Sequence, residues 1–264
     1  MRIVALGSGS SGNAILVDDG TTRILVDCGL GPRTIKTRLA VAGVRPDQVS
    51  AIVVTHEHID HTRGIGQAVK NWQWQVIASA GTVRGLPAEM RRHATAAQGR
   101  IQVGELDVEM IPVSHDAAEP IAYAITSRSS GMRAGVAHDL GEPSDQLVAA
   151  FQGVDLLCIE ANHCAEMLKH GPYPPFLKDR VASKTGHLSN DQTLAFIAAV
   201  GTASLRAVLL LHLSEVNNTP EVACNATKRA VTHRARKVSL AAALRRAPSA
   251  PIGEYSGLQL ALAI

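Results

Sequence analysis

The sequence predicts an α/β (α+β) fold, a sandwich of two mixed β-sheets with helices on the outside. Three observations predict it. Short β-branched runs bounded by Gly, Ser and Asp turns recur along the chain, and helix-length segments are interposed among them. No linker, repeat or low-complexity tract divides the 264 residues. A chain of this length buries a sizeable core, and one domain spanning 1–264 is expected. Val, Leu, Ile and Ala must build that core, because 46% of the residues are apolar and only 3% aromatic.

Taken in order, Arg2–Leu6, Ala14–Val17 and Arg23–Val26 read as strands. Pro32–Ala42 fits a helix, with Pro in its first turn and Gly43 as its stop. Ala51–Thr55 is a buried strand that runs straight into Thr55-His56-Glu57-His58-Ile59-Asp60-His61, and a helical pattern resumes over His61–Trp72. Strands are expected at Gln75–Ala78, Ile101–Val103, Asp107–Val113, Ile121–Thr126 and Met132–Ala137. A helix over Ser144–Gln152 leads to a strand at Asp155–Glu160. After a Pro-rich loop, Ser189 caps a helix running to Val200, with Gln192 completing a capping box. A strand at Ala207–Leu211 ends at His212, and a helix near Pro220–Arg236 and a last strand near Leu258–Leu262 follow.

Composition removes several classes. No apolar run approaches the roughly 18–20 residues that cross a bilayer, and Met1-Arg2-Ile3-Val4-Ala5-Leu6-Gly7 is too short for a signal-peptide apolar region. A cytoplasmic protein without a membrane partner is expected. Cys28, Cys158, Cys164 and Cys224 lie far apart with no Cys-x-x-Cys pair, against a zinc ribbon or a disulfide framework. Three of them read as buried small hydrophobes, and Cys164, directly after His163, is the one placed to line a site. The net charge of +3 is too weak to imply nucleic acid. Its distribution says more: no acid lies between Glu221 and Glu254, while Lys228, Arg229, Arg234, Arg236, Lys237, Arg245 and Arg246 are basic. Such a 228–246 segment can meet phosphates, although charge alone favours a solvated helix face.

The chemistry is concentrated after the strand at Ala51. His56 and His58 are two apart on an extended segment, so both imidazoles project to one side. Asp60 repeats the spacing, and His61 adds a further group as the chain turns into a helix. Core packing asks for no such cluster, and imidazole with carboxylate suits Zn2+, Mn2+ or Fe2+.

This motif resembles the signature of the metallo-β-lactamase superfamily, whose fold is an αββα sandwich, and other segments match in the expected order. Asp27, after Ile24-Leu25-Val26, is similar to the early Asp that orients the histidine loop. His115 in Pro112-Val113-Ser114-His115-Asp116, Asp139 in Ala137-His138-Asp139-Leu140-Gly141 and His212 in Leu211-His212-Leu213-Ser214 are similar to the later ligands. The resemblance implies two divalent metal ions, Zn2+ or Mn2+. His56, His58 and His115 would hold one, Asp60, His61 and His212 the other, and Asp139 would bridge them. His138 is an unusual neighbour of Asp139, and a one-residue shift would exchange their roles.

Gly7-Ser8-Gly9-Ser10-Ser11-Gly12-Asn13, Gly171-Pro172-Tyr173-Pro174, Gly186-His187-Leu188-Ser189-Asn190 and His212-Leu213-Ser214-Glu215-Val216-Asn217-Asn218 resemble the YycJ/WalJ group. The resemblance runs from about Ile3 to Pro220 and implies a phosphodiesterase, an exonuclease acting on DNA. Asp60 would then steer the nucleophile as well as bind metal, and His187 would give a proton to the leaving oxygen. Ser10, Ser11 and Asn13 in the Gly/Ser loop are candidate phosphate contacts, although a tight hairpin turn explains that loop equally. Asn217 and Asn218 are candidate backbone contacts, while capping by Thr219 before Pro220 explains part of their segment without function. The same metals would also hydrolyse a small thioester, lactone or cyclic phosphodiester. A redox di-iron protein carries Glu where His58 stands, and a vestigial site would have lost a ligand. RNA-processing relatives carry an exosite arm or an inserted domain for which this chain has no room.

Overall fold

The structure, a computed structural model, describes residues 1–232 and 237–254. Its strands are β1 (Arg2–Gly7), β2 (Ala14–Asp18), β3 (Arg23–Val26), β4 (Ala51–Val54), β5 (Gln75–Ala78), β6 (Ala94–Ala96) and β7 (Arg100–Val103). They continue as β8 (Leu106–Pro112), β9 (Ile121–Ser127), β10 (Arg133–Ala137), β11 (Leu156–Glu160), β12 (Ala207–Leu211), β13 (Ser239–Ala242) and β14 (Ile252–Gly253). One seven-stranded sheet has the order β14-β1-β2-β3-β4-β5-β6, antiparallel from β14 to β3 and parallel from β3 to β6. The other has the order β13-β12-β11-β10-β9-β8-β7, antiparallel from β7 to β10 and parallel from β10 to β13. Both sheets are mixed, as the sequence predicts.

Alternation along each strand sorts side chains into layers. On β2, Ile15 and Val17 enter the core between the sheets with Val53, Val108, Tyr123 and Leu209, while Leu16 faces outward. The helix Pro32–Val41 covers that outer face with Ile35 and Leu39. Phe151, Phe196 and Ile197, from the helices Asp145–Phe151 and Asn190–Val200, cover the outer face of the second sheet. The inner parallel strands are buried on both faces, so they read as unbroken apolar runs such as Ala207-Val208-Leu209-Leu210-Leu211. Each such Leu, Ile or Val contributes about 1.5–3 kcal/mol when fully buried.

Several elements differ from expectation. The helix expected in one piece over His61–Trp72 is two, Ile59–Thr62 and Ile65–Trp72. They part at Gly64, where a Cβ would lie 2.2 Å from the Leu30 carbonyl oxygen and whose N–H donates to Cys28 O at 2.7 Å. The Pro-rich loop contains a helix, Pro175–Val181, with Pro175 in the first turn, where a missing N–H costs nothing. The helix near Pro220 is described as Pro220–Thr227 and Arg229–Thr232. Arg234, Arg236 and the strand near Leu258–Leu262 lie outside the described residues. Instead, β13 and β14 pair with β12 and β1. Cys28 and Cys158 are buried as expected, Cys224 only partly, and Cys164 precedes the helix Ala165–His170. Among the described residues no helix is long and apolar enough to cross a membrane.

One glycine ties the fold to the histidine segment. A Cβ on Gly29 would lie 1.6 Å from the Asp60 carbonyl oxygen. Gly29→Ala is therefore expected to push the segment carrying Asp60 and His61 outward. The cost should exceed the about 1–3 kcal/mol typical of overpacking and appear as a lowered Tm; an unchanged Tm would mean the loop yields freely.

Candidate metal centre

The chemistry-bearing residues gather where strands end. Asp27 follows β3, His56 lies just past β4, and Asp139 lies just past β10. Glu160 closes β11, His212 follows β12, and His115 comes from the loop after β8. The carboxyl ends of parallel strands are where such sheets leave backbone and side chains free to meet a ligand. Three of these residues hold a left-handed backbone: Asp27 at φ 63°, Asp139 at φ 55° and His212 at φ 51°. Among described non-glycine residues only Gln73 shares it. That conformation costs about 1–3 kcal/mol per residue and persists only where packing imposes it. Here it ends each strand abruptly and swings the side chain toward the rim between the sheets.

Two groups of donors face each other there. In the first, one ring nitrogen from each of His56, His58 and His115 lies within 4.8 Å of the other two. His115 Nδ1 donates to the Gly186 carbonyl at 3.2 Å, and its Nε2 lies 3.2 Å from Asp116 Oδ1. In the second, His61 Nε2 lies 2.6 Å from Asp139 Oδ2 and 3.4 Å from Asp60 Oδ2, and His212 Nε2 lies 3.8 Å from Asp60 Oδ2. Asp139 Oδ2 is also 3.9 Å from His56 Nε2, so this carboxylate stands between the groups. The seven side chains expected as ligands thus come together.

Residues behind them fix their orientation. Asp27 accepts from Thr55 N at 2.7 Å and from Thr55 Oγ1 at 2.8 Å. It also accepts from His61 Nδ1 at 2.7 Å, which sets the His61 tautomer and turns Nε2 to the centre. His138 points back at the same carboxylate, 2.9 Å from Nε2 to Oδ2, so Asp139 and not His138 occupies the middle. Glu160, which the sequence reading did not single out, is fully buried at the opposite side. Its Oε2 accepts from Leu140 N at 3.0 Å and Leu188 N at 3.3 Å, and its Oε1 accepts from His187 Nδ1 at 2.8 Å. His212 Nδ1 faces both Glu160 and Asp139. The one local feature of Glu160 in the sequence is a carboxylate ending an otherwise apolar strand, whereas Asp27 is singled out by a resemblance.

The charges follow from burial and neighbours. Burial pushes the His56 and His115 pKa values down, so both rings are neutral with a lone pair to give. Burial would do the same to His61, His187 and His212, but the buried carboxylates beside them raise all three, His212 to about 9. Burial works to raise Asp139 and Glu160, yet His212 and His61 hold Asp139 well below the usual range, and His187 holds Glu160 at about 2. The buried carboxylates draw positive charge onto the imidazoles beside them, and a cation held in the same place would supply that charge instead. His56 Nε2 and His212 Nε2 are buried with no protein partner, and an unmet buried polar atom costs about 1–3 kcal/mol. Cations held between these nitrogens and carboxylates meet both requirements, so the residues present fit divalent metal.

A cleft of about 290 Å³ opens over the centre, with Ser10, Ser11, Tyr173, Arg180, His187 and Arg245 in its lining. Ser10 and Ser11 therefore stand where substrate contacts were expected. Asn13, Asn217 and Asn218 do not, being 0%, 0% and 4% exposed. Asn13 accepts from Gly9 N at 2.7 Å and lies 3.1 Å from His61 Nε2, holding the Gly/Ser loop from behind. Asn218 donates to Ala161 O at 2.9 Å and to Asn190 Oδ1 at 2.8 Å. The Asn217 carbonyl accepts from Cys164 N at 2.9 Å. Asn13 and Asn218 are internal braces, while the buried Asn217 amide has no hydrogen-bond partner among the described residues. Arg180 pairs with Asp116 at 2.6 Å, and Arg245 pairs with Glu215 at 2.8 Å. Among the described residues of the basic run, Arg245 reaches the cleft; Lys228 and Arg229 are exposed at a helix end.

Residues 22–213 match the family described as a beta-lactamase superfamily domain. The chain is 32% identical over 230 residues to the exodeoxyribonuclease YycJ of Bacillus anthracis, covering 84% of this chain and 86% of that one. It is 33% identical over 227 residues to the exodeoxyribonuclease WalJ of Streptococcus pneumoniae, covering 83% of each. Among solved structures, the metallo-beta-lactamase fold protein YhfI from Bacillus subtilis matches with a TM-score of 0.67. That match covers 91% of this chain and 95% of that one at 20% identity, a likeness of fold.

Proposed function

Because the chain belongs to the beta-lactamase superfamily, as a metal-dependent hydrolase of the YycJ/WalJ group, we propose that it is a dinuclear, cytoplasmic exonuclease that cleaves phosphodiesters at DNA ends. In this reading His56, His58 and His115 hold one cation, Zn2+ or Mn2+. Asp60, His61 and His212 hold the other, with Asp139 between them. Bound there, the cations supply Lewis acidity, offsetting charge on the phosphoryl oxygens and making water a nucleophile near neutral pH.

The chain's own groups do the rest. Asp60 is the least buried carboxylate of the centre, with 18% of its side chain exposed against 2% for Asp139, and it orients the attacking water. His187 Nδ1 is bonded to Glu160 at 2.8 Å, so the proton given to the leaving oxygen comes from Nε2. Glu160 positions that ring and, with Asp139, keeps it protonated. Arg180, Arg245, Ser10 and Ser11 line the space for the sugar–phosphate backbone, and Tyr173 offers a face on which a base can stack.

The observation that carries the reading is that His187, 2.8 Å from Glu160 and 3.2 Å from Asp139, lines a cleft at the small end of the about 300–1,000 Å³ range of ligand sites. Such a space suits one nucleotide entering from a strand end. The test compares linear with covalently closed single-stranded DNA in the presence of Mn2+ or Zn2+. Mononucleotides are expected from the linear strand only, with activity lost on chelation and restored by either metal. Equal cutting of the circle would sink the exonuclease assignment, and turnover of a thioester or lactone with DNA untouched would sink the phosphodiesterase one.

A further inference from the structure

We propose that a second groove, across Arg63 from the metal centre, binds the sugar–phosphate backbone of the single strand whose end enters the cleft; this rests on the nuclease reading above. The groove encloses about 900 Å³ between the helices Ile65–Trp72 and Ala88–Arg91, roughly three times the 290 Å³ of the cleft. Its rim carries Arg63, Lys70 and Arg92 against one carboxylate, Glu89, over a floor that includes Trp74 and Met90.

The state of these cations separates the groove from the cleft. In the cleft Arg180 is paired with Asp116 and Arg245 with Glu215, so each of these cations has a carboxylate beside it. Arg63, Lys70 and Arg92 form no ion pair among the described residues, and all three are exposed. Arg92 Nε donates to His93 Nε2 at 3.0 Å, an interaction that leaves the guanidinium charge unopposed. Unopposed cations lining a concave surface focus a positive field outward, which suits a polyanion and no neutral ligand.

Arg63 joins the two spaces. It directly follows the short helix Ile59–Thr62, which bears Asp60 and His61, and its Nη1 donates to the Ser11 carbonyl at 3.3 Å. Ser11 lines the cleft and Arg63 lines the groove, so this hydrogen bond links a residue of one lining to a residue of the other. A strand with its terminal nucleotide over the metal centre can leave past Arg63 and lay its next phosphates along Lys70 and Arg92. An enzyme that cuts repeatedly from an end keeps its substrate longer with such a hold on the strand that remains.

The test uses the metal-loaded enzyme and the double variant Lys70→Glu/Arg92→Glu, which changes two exposed side chains away from the centre. Binding is read by fluorescence anisotropy with a long phosphorothioate-linked single strand that resists cleavage, across a salt titration. Catalysis is read on bis-p-nitrophenyl phosphate and on a dinucleotide, both too short to span the groove. The variant is expected to bind the long strand roughly tenfold more weakly at low salt. Its slope of log affinity against log salt should be shallower by about 1.4, since each phosphate of a single strand that a protein cation neutralises adds about 0.7 to that slope. Hydrolysis of the two short substrates should be unchanged. A wild type that cuts DNA, with a variant whose affinity and slope match it, overturns this proposal alone. A wild type that hydrolyses bis-p-nitrophenyl phosphate but neither binds nor cuts DNA overturns the nuclease reading and this one with it.

Discussion

Asp60→Ala and His58→Ala are each expected to lower kcat/KM by at least about 10³-fold on DNA and on bis-p-nitrophenyl phosphate alike, while the metal-free protein keeps its Tm. The size follows from position: losing a residue that only supports a metal ligand costs about 10–100-fold, and these two are read as ligands themselves. The retained stability follows from what each side chain does for the fold. Asp60 is anchored through its main chain, since its carbonyl accepts from Asn13 N at 2.8 Å, and alanine keeps that bond. His58 is half-buried and its ring makes no hydrogen bond among the described residues, so truncation strands no partner. Asp27→Ala makes the contrast, because Asp27 is fully buried and faces both His61 and His138. Removing one member of such a buried network costs about 3–5 kcal/mol, so that variant should lose Tm as well as activity. Metal content per chain, thermal melting and steady-state kinetics on the same preparations separate the outcomes. If His58→Ala retained both metal and turnover, the first group of histidines would not be a binding site.

How much of this site the sequence reveals depends on how local each signal is. The segment from His56 to His61 is legible because several donors leave one strand end within a single turn of chain, and nothing in core packing accounts for them. His115, Asp139 and His212 are single residues far apart in sequence. Only their order in a resemblance brings them to one centre, where the fold in fact gathers them. Glu160 was missed because one carboxylate at the end of Leu156-Leu157-Cys158-Ile159 looks like any strand terminus until the parallel pairing of β11 with β10 and β12 sets it between Asp139 and His212. Asn13, Asn217 and Asn218 were misread for a related reason. Composition marks a polar loop, but which face of the loop meets solvent is decided by what packs behind it. The groove beside Arg63 was invisible because an unpaired arginine and a paired one look the same in one dimension. The layered fold was easier: alternation and unbroken apolar runs report directly which strand faces are covered.

His187→Ala is expected to lower kcat on DNA by about 10²–10⁴-fold, the range for loss of general acid catalysis, and to change kcat on bis-p-nitrophenyl phosphate far less. The two substrates differ in what their leaving groups need. A deoxyribose oxygen is a poor leaving group without a proton, whereas p-nitrophenolate departs as a stable anion. A residue whose work is to deliver a proton is therefore dispensable for the second reaction and not for the first. His187 meets the requirements of that work: its Nδ1 is held by Glu160 at 2.8 Å and Asp139 at 3.2 Å, and its side chain is 23% exposed to the cleft. Glu160→Gln keeps the shape but weakens the hold on the ring, and an intermediate loss of about 10–100-fold with the same substrate dependence is expected. A ligand role for His187 predicts the opposite pattern, since losing a metal would depress both substrates together and lower metal content. Equal losses on DNA and bis-p-nitrophenyl phosphate would therefore remove His187 from the acid's role and assign it to the metal centre, beside His212, whose ring centroid lies 5.3 Å from its own.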